Sequence, residues 1–240
     1  MNVLCVIPAR YASTRLPGKP LKDIAGKPMV CRVYERAAKA SRVAAAIVAT
    51  DDSRIYDAVL QHGGKAVMTR KDHPTGTDRL AEVAEKYQDV DLIINVQGDE
   101  PLIEPKLIDE LAAAFDGDAD LQMATVCTEI TDESEQQNPN NVKVVMDKQG
   151  YALYFSRSLL PYPRHEGTPV YKHIGIYAYK RDFLLAYAKM AETPLEHAES
   201  LEQLRALENG YRIKVIKTPY RFVGVDTTED LEKVNAIYRQ

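Results

Sequence analysis

Three cations, two hydroxyls and a glycine crowd one short stretch near the start of the chain, Arg10-Tyr11-Ala12-Ser13-Thr14-Arg15-Leu16-Pro17-Gly18-Lys19. Long cations beside free backbone N–H groups suit a polyphosphate, and an arginine can hold two phosphate oxygens at once. A solvated basic loop is the plainer reading of the same residues. The stretch matches neither G-x-x-x-x-G-K-[ST] nor G-x-G-x-x-G, so the P-loop and dinucleotide readings, a dehydrogenase among them, lose their main warrant. Asp99, in Asn95-Val96-Gln97-Gly98-Asp99-Glu100-Pro101, follows an apolar run, and Gly98 before it lets the backbone approach a ligand closely. Magnesium takes hard carboxylate oxygens of this kind together with substrate phosphates, although an acid here could equally cap a helix opening at Pro105. Asp226 is as ambiguous, since it stands where an N-cap belongs, with Glu229 three residues on to complete a capping box. Glu100 could merely tune the local charge. In Asp72-His73-Pro74-Thr75-Gly76-Thr77-Asp78-Arg79, Thr75 or Thr77 can cap the helix that follows, and His73 reads as a loop residue.

These groups need a frame, and the apolar pattern supplies one. The first half alternates strands with amphipathic helices, the signature of a mainly parallel sheet covered on both faces. Strand Val3–Ala9 runs into the loop 10–27, which places the cationic stretch at the carboxyl end of the sheet, where ligands of open α/β folds gather. A helix with Pro28 at N1 is predicted to run to residue 41, then a strand over 46–50 and a helix over 53–62 closed by Gly63-Gly64. A helix over 77–87, a strand over 92–96, a helix over 105–115 and a strand over 121–128 follow. Beyond residue 128 the rhythm changes. A polar loop spans 131–141, segments 142–147 and 151–155 form a hairpin, and a strand over 172–179 follows a Pro/Gly-rich loop. Thr193 and Glu196 have the form of a capping box that opens a helix to residue 208; a strand over 212–217 and a helix Thr228–Tyr238 end the pattern. The reading is one α/β domain, 1–240, with a β-rich insertion at 128–180 that could serve dimerisation.

Composition narrows the field. With 240 residues, 45% hydrophobic and 28% charged, the chain can bury a sizeable core and is not disordered. A net charge of −4 supports neither a nucleic-acid nor an anionic-membrane partner, so any anionic ligand must be held by a local cationic cluster. The apolar runs fall far short of the roughly 20 residues that span a bilayer, and the opening MNVLCVIPAR does not read as a signal peptide. Cys5, Cys31 and Cys127 are odd in number and include no C-x-x-C pair, which excludes a disulfide framework, disfavours a zinc site and fits a reducing cytoplasm.

Residues 8–19, PARYASTRLPGK, closely resemble the opening signature of the CMP-Kdo synthetases, the 3-deoxy-manno-octulosonate cytidylyltransferases. The resemblance continues through Gly26-Lys27-Pro28-Met29, Thr50-Asp51, NVQGDEP at 95–101, Asn138-Pro139-Asn140, YALYFSR at 151–157, HIGIY at 173–177, residues 194–205 and GVDTTEDL at 224–231, in the family's order along the whole chain. It implies a Rossmann-like nucleotidyltransferase fold, usually dimeric, that uses Mg²⁺ to transfer CMP from CTP to the anomeric hydroxyl of the eight-carbon sugar acid Kdo, for lipopolysaccharide synthesis. By that resemblance CTP lies on Pro8, Ala9, Arg10, Ser13, Arg15, Lys19, Thr75, Gly76, Thr77 and Asp99. Catalysis falls to Arg10, Arg15, Lys19, Asp99 and Asp226, with Asp99 and Asp226 as the metal ligands. The sugar acid falls to Gln97, Arg157, His173, Tyr177, Glu202 and Gln203. Here Thr75 and Asp78 stand where the family more usually has the Ser and Glu of S-G-T-E-R.

The sugar set makes physical sense. A carboxylate suits a fork-shaped arginine, and His173 and Tyr177, four apart on a strand, share one face. Glu202 and Gln203 are predicted on a helix whose Leu201, Leu204 and Leu207 face a core. Each residue also has an ordinary structural reading, as a satisfied buried histidine, a core tyrosine or a solvated helix face. Two alternatives stay open: another acid sugar, such as the 8-amino analogue or a sialate, and a nucleotide-binding regulator without turnover.

Overall fold

The computed structural model describes residues 1–12, 16–165, 167–220 and 222–239. In chain order, strand β1 (Val3–Ala9) leads through a small ribbon, β2 (Asp23–Ile24) and β3 (Lys27–Pro28), into helix α1 (Met29–Ala37). Then come β4 (Ala45–Thr50), α2 (Ser53–Gln61), β5 (Ala66–Met68), α3 (Gly76–Lys86), β6 (Leu92–Asn95), α4 (Pro105–Ala113) and β7 (Met123–Ile130). The second half adds α5 (Glu133–Gln137), β8 (Lys143–Met146), β9 (Ala152–Ser156), β10 (Val170–Lys180), α6 (Arg181–Tyr187), α7 (Pro194–Glu199), α8 (Leu204–Glu208), β11 (Ile213–Lys217) and α9 (Thr228–Tyr238).

The main sheet runs β11-β7-β10-β6-β1-β4-β5, with β8 paired to β10 and β9 to β8. Pairings β1–β4, β1–β6, β4–β5 and β7–β11 are parallel, and β10 runs antiparallel to both β6 and β7. This is the mixed, mainly parallel α/β sheet that the alternation predicts. Residues alternate between its faces. Val3, Cys5 and Ile7 pack with Val30, Val33, Ile55, Leu107 and Leu111 on one side. Leu4 and Val6 pack with Leu80, Val83, Phe183 and Leu204 on the other. A strand buried on both faces is apolar along its length, which is why β1 reads as an unbroken hydrophobic run and β6 as one up to Asn95. Each such side chain contributes about 1.5–3 kcal/mol on burial, so truncating Ile94, which is fully buried, to alanine costs about 2–5 kcal/mol.

Three local features depart from the sequence reading, and each has a tertiary cause. Pro28 belongs to the ribbon and precedes the helix as its N-cap rather than its first residue, and α1 ends at Ala37. The helix predicted over 194–208 is two helices. Thr193 and Glu196 do form the capping box, but Ser200 takes the left-handed conformation (φ 51°) and ends α7. Arg157 donates to the carbonyls of Glu199 (2.7 Å) and Ser200 (3.3 Å), which pins the chain in that turn. Third, the last helix is capped by Thr227 with Asp230, not by Asp226 with Glu229. Region 128–180 does not stand apart from the sheet, because β10 is a central strand and only β8 and β9 leave the main path. Among the described residues no helix is long and apolar enough to cross a membrane.

Candidate active site

Because β1, β4 and β6 are parallel, the segments that follow them emerge along one edge, and the candidate residues collect there. Gly18 adopts a left-handed conformation (φ 66°) that few side-chain-bearing residues tolerate, and it turns the loop into a single 3₁₀ turn that begins at Lys19. The Tyr11 ring packs against Gly18 on one side and carries the Arg54 guanidinium 3.4 Å from its centroid. Lys19 Nζ is thereby aimed at two carboxylates, Asp99 Oδ2 at 2.7 Å and Asp226 Oδ1 at 2.8 Å. Burial works to lower the Lys19 pKa, but the charges and hydrogen bonds of Asp99 and Asp226 outweigh it and hold the ammonium above its ordinary value. Lys19 stays charged.

Two supports fix the carboxylates. A Cβ at Gly98 would come within 3.0 Å of the Pro8 carbonyl oxygen, so glycine lets the 97–100 turn lie directly against the end of β1. Val225 N–H donates to the Asp99 carbonyl at 2.9 Å, which brings residues 224–226 alongside that turn. Helix α9 holds the second segment: Asn235 bonds to Ala25 N and Asp23 O, and Tyr238 OH donates to Pro101 O at 2.6 Å. With Thr227 as the cap, the Asp226 side chain is released from capping and serves the lysine. Glu100 lies just behind. Burial first, then the Asp99 charge, pushes its carboxyl up to about 8.

Arg10 leaves the end of β1 in another direction. Its Nη2 donates to His73 O (2.8 Å) and Thr75 O (3.0 Å), tying the turn before α3 to the sheet edge. Thr75 caps α3, accepting from Asp78 N while Asp78 Oδ2 accepts from Thr75 N, so the aspartate that replaces the usual glutamate completes the box. His73 is buried, and its Nε2 lies 2.5 Å from Glu82 Oε2, which also accepts from Arg70 N. Burial would raise the Glu82 pKa, but hydrogen bonds from Lys86, Arg70 N and His73 bring it down to about 2.

Beside this edge lies a cavity of about 210 Å³ lined by Gly76, Thr77, Asn95, Met123 and Gln97, with Tyr177, Tyr179, Tyr187, Glu202 and Gln203 opposite. Gln97 and Asp99 share one turn, so the cavity and the charged corner adjoin. Glu202 and Gln203 sit in the link between α7 and α8 rather than on a helix, because α7 stops at the Arg157-held turn. Among the described residues, the buried Asn95 Oδ1, Glu202 Oε1 and Gln203 Nε2 have no hydrogen-bond partner. Burial raises the Glu202 pKa above its ordinary value.

Six sequence-predicted residues therefore meet at this cavity: Gly76, Thr77, Gln97, Tyr177, Glu202 and Gln203. His173 is outside the lining but next to it and only partly buried, its ring 5.3 Å from that of Tyr177. Arg157 is not in the lining: Nε, Nη1 and Nη2 all donate to carbonyls, those of Glu199, Pro139 and Ser200. Pro8 and Ala9 are the end of β1 itself. Ser13 and Arg15 lie outside the described residues. Sequence reasoning missed Asn95, Met123, Tyr179 and Tyr187. Asn95 carried a signal, as the one polar residue of an otherwise apolar strand. Arg79 was missed too. It is fully buried, with Nη2 3.4 Å from Asp51 Oδ2.

Residues 4–215 match a model of the cytidylyltransferase family, a span that stops short of Asp226. A 3-deoxy-manno-octulosonate cytidylyltransferase of Fusobacterium nucleatum subsp. nucleatum is 58% identical over 98% of this chain and 96% of its own length. A protein of the same name from Geobacter metallireducens is 55% identical over 98% and 96%. Among solved structures, a CMP:2-keto-3-deoxy-manno-octonic acid synthetase complexed with CTP superposes with a TM-score of 0.96 at 50% identity, over 100% of this chain and 99% of that one. A 4-diphosphocytidyl-2C-methyl-D-erythritol synthase from Anaerococcus prevotii, with a TM-score of 0.66 at 14% identity, shares the fold.

Proposed function

The chain belongs to the 3-deoxy-manno-octulosonate cytidylyltransferase family, and on that premise we propose that it transfers CMP from CTP to the anomeric hydroxyl of Kdo. The hydroxyl oxygen attacks the α-phosphorus and gives up its proton to solvent, the bond from that phosphorus to the bridging oxygen breaks, and pyrophosphate leaves. The observation that carries this reading is the convergence of Lys19, Asp99 and Asp226 at the sheet edge, next to a cavity where three buried polar atoms have no partner among the described residues. Lys19, with Arg10 and Arg15 from the same loop, counters the triphosphate charge. The turn capped by Thr75, with Gly76 and Thr77, receives the nucleotide, and Arg10 holds that turn in place through two carbonyls. Gln97, His173, Tyr177, Glu202 and Gln203 hold the sugar acid. Positioning and electrostatics then supply the rate, as in phosphoryl transfer generally.

The donor set fits magnesium. Two carboxylates already converge on one cation, and a third carboxyl behind them is kept protonated to higher pH by burial and by their charge. Mg²⁺ commonly takes one or two carboxylates and completes its shell with substrate phosphates and water, so Asp99 and Asp226 would suffice. Bound there, the ion would neutralise phosphate charge and ease loss of the hydroxyl proton.

The unpartnered Glu202 oxygen would accept from a hydroxyl or an ammonium alike, which makes the 8-amino analogue of Kdo the second reading. Pyrophosphate release, measured with CTP or UTP against Kdo, the amino analogue and a sialate at fixed Mg²⁺, tests both. A preference for the sialate overturns the Kdo assignment, and no release with any of the acids overturns the enzyme. Two further proposals accompany the function. The free, buried cysteines suit a reducing cytoplasm. Exposed Leu153 on β9 and Tyr162 after it suit a contact with a second copy, which light scattering after size exclusion would register as twice the 26.9 kDa chain mass.

A further inference from the structure

Strand β10 carries two more residues than its partner. Ile174 pairs with Val126 and Tyr177 with Thr125, so Gly175 and Ile176 stand opposite nothing on β7. A step of this kind breaks the ladder and frees carbonyl groups that must be satisfied otherwise. Gln97 Nε2 donates to Gly175 O at 3.0 Å. The remaining burden falls on Thr125, a fully buried residue of β7. Its Oγ1 lies 2.8 Å from Ile176 O, 3.2 Å from Ile174 O and 3.0 Å from His173 Nε2.

The proton count decides what the histidine carries. A hydroxyl has one proton, and the two carbonyls can only accept. If Nε2 were bare, three acceptors would surround one proton. With a proton on Nε2, the ring donates to Oγ1, and the hydroxyl turns its own proton to the carbonyls. The ring cannot swing away from this contact, because Phe155 meets it edge-on at 5.0 Å and Tyr177 packs on it at 5.3 Å. Burial also pushes the His173 pKa down to about 3, so the ring is neutral and only one nitrogen bears hydrogen. Nδ1 is then an acceptor, and it has no hydrogen-bond partner among the described residues.

We propose that Thr125 is a positioning residue that holds His173 as its Nε2–H tautomer, so that Nδ1 accepts a hydrogen bond from a hydroxyl of the sugar acid. The second half rests on the reading of His173 as part of the sugar-acid site given above. Which nitrogen of a histidine is free is set by the bond the other one makes. A hydroxyl two strands away from the charged corner would thus help decide which polyol the enzyme accepts.

Nitrogen NMR of histidine-labelled full-length protein, with His173→Gln to assign the signal, reads the tautomer directly. The wild type is expected as Nε2–H. Thr125→Val, which keeps the shape and removes the hydroxyl, is expected to give a mixture of tautomers and to raise KM for Kdo about tenfold, the loss of roughly one hydrogen bond. KM for CTP should stay put, and Thr125→Ser should restore both readouts. A wild-type Nδ1–H signal overturns the proposal even if Thr125→Val fails to fold, and so does an unchanged Nε2–H tautomer in Thr125→Val. A shifted tautomer with unchanged Kdo kinetics upholds the hold on His173 and overturns its place in the sugar-acid site.

Discussion

At the ends of β1 and β6 two carboxylates already meet one ammonium, at 2.7 and 2.8 Å. Around the corner of the same turn, three buried polar atoms of Asn95, Glu202 and Gln203 have no hydrogen-bond partner among the described residues. The first region is already paired within the protein, two carboxylates on one ammonium with one negative charge left over, and a ligand must compete for them. The second is unfinished, and a ligand with matching hydroxyls supplies what the protein lacks. A corner with one carboxylate charge to spare accepts any polyphosphate with a cation of the right size. A cavity of orphaned donors and acceptors rejects whatever leaves them orphaned, because an unpaired buried group costs about 1–3 kcal/mol. Rate therefore belongs chiefly to the corner and selectivity to the cavity.

The sharpest way to break that division is to remove a charge from the corner. Asp99→Asn and Asp226→Asn should each lower turnover by about 100-fold or more, the scale of losing one electrostatic group that acts in the transition state. Since Thr227 caps α9, circular dichroism of Asp226→Asn should stay native. Near-full activity in that variant would reduce Asp226 to a partner of Lys19. Lys19→Ala comes next, at about 1.5–3 kcal/mol for a charged hydrogen bond, read as weaker CTP binding with Kdo binding at saturating CTP little changed. Equal losses for both substrates would erase the distinction between the regions. Gln203→Ala should show the reverse pattern, with KM for Kdo raised about tenfold and KM for CTP unchanged, because Gln203 lines the cavity and its Nε2 has no partner among the described residues. The smallest effect is expected at Glu82, which anchors the turn that Arg10 holds. Its folded pKa of about 2 lies below the ordinary 4.5, so its stabilisation is complete above 4.5 and is lost as pH falls toward 2. Thermal melts of Glu82→Gln and wild type should differ at neutral pH and converge in acid.

Sequence made the frame of the corner legible because parallel strands buried on both faces are apolar throughout, and the residues that follow them stand out as polar. Loop 10–19 and the turn at Asp99 were visible for that reason. The cap of α9 was not. Two overlapping boxes, Asp226 with Glu229 and Thr227 with Asp230, fit the local pattern equally well. Asp226 is instead drawn to Lys19, 207 residues away along the chain. The break at Ser200 was hidden in the same way, since Arg157 imposes it from 43 residues away. The cavity was only half legible: its polar residues carry a signal, whereas Tyr179, Tyr187 and Met123 look like any core residue until the sheet closes around them.

The unpaired step at Gly175 and Ile176 also bears on how chains of this kind can change length as they diverge. Side chains alternate across a strand, so an even step leaves Tyr177 and Tyr179 on the cavity face, and Ile174, Ile176 and Ala178 on the other. Losing one residue there would exchange the two sets, sending tyrosines into an aliphatic core and alanine into the cavity. Losing both would keep the faces and close the ladder, removing the carbonyls that Gln97 and Thr125 now serve. Insertions and deletions at this point of β10 are therefore tolerable in pairs, and even a tolerated pair would redraw what the cavity binds.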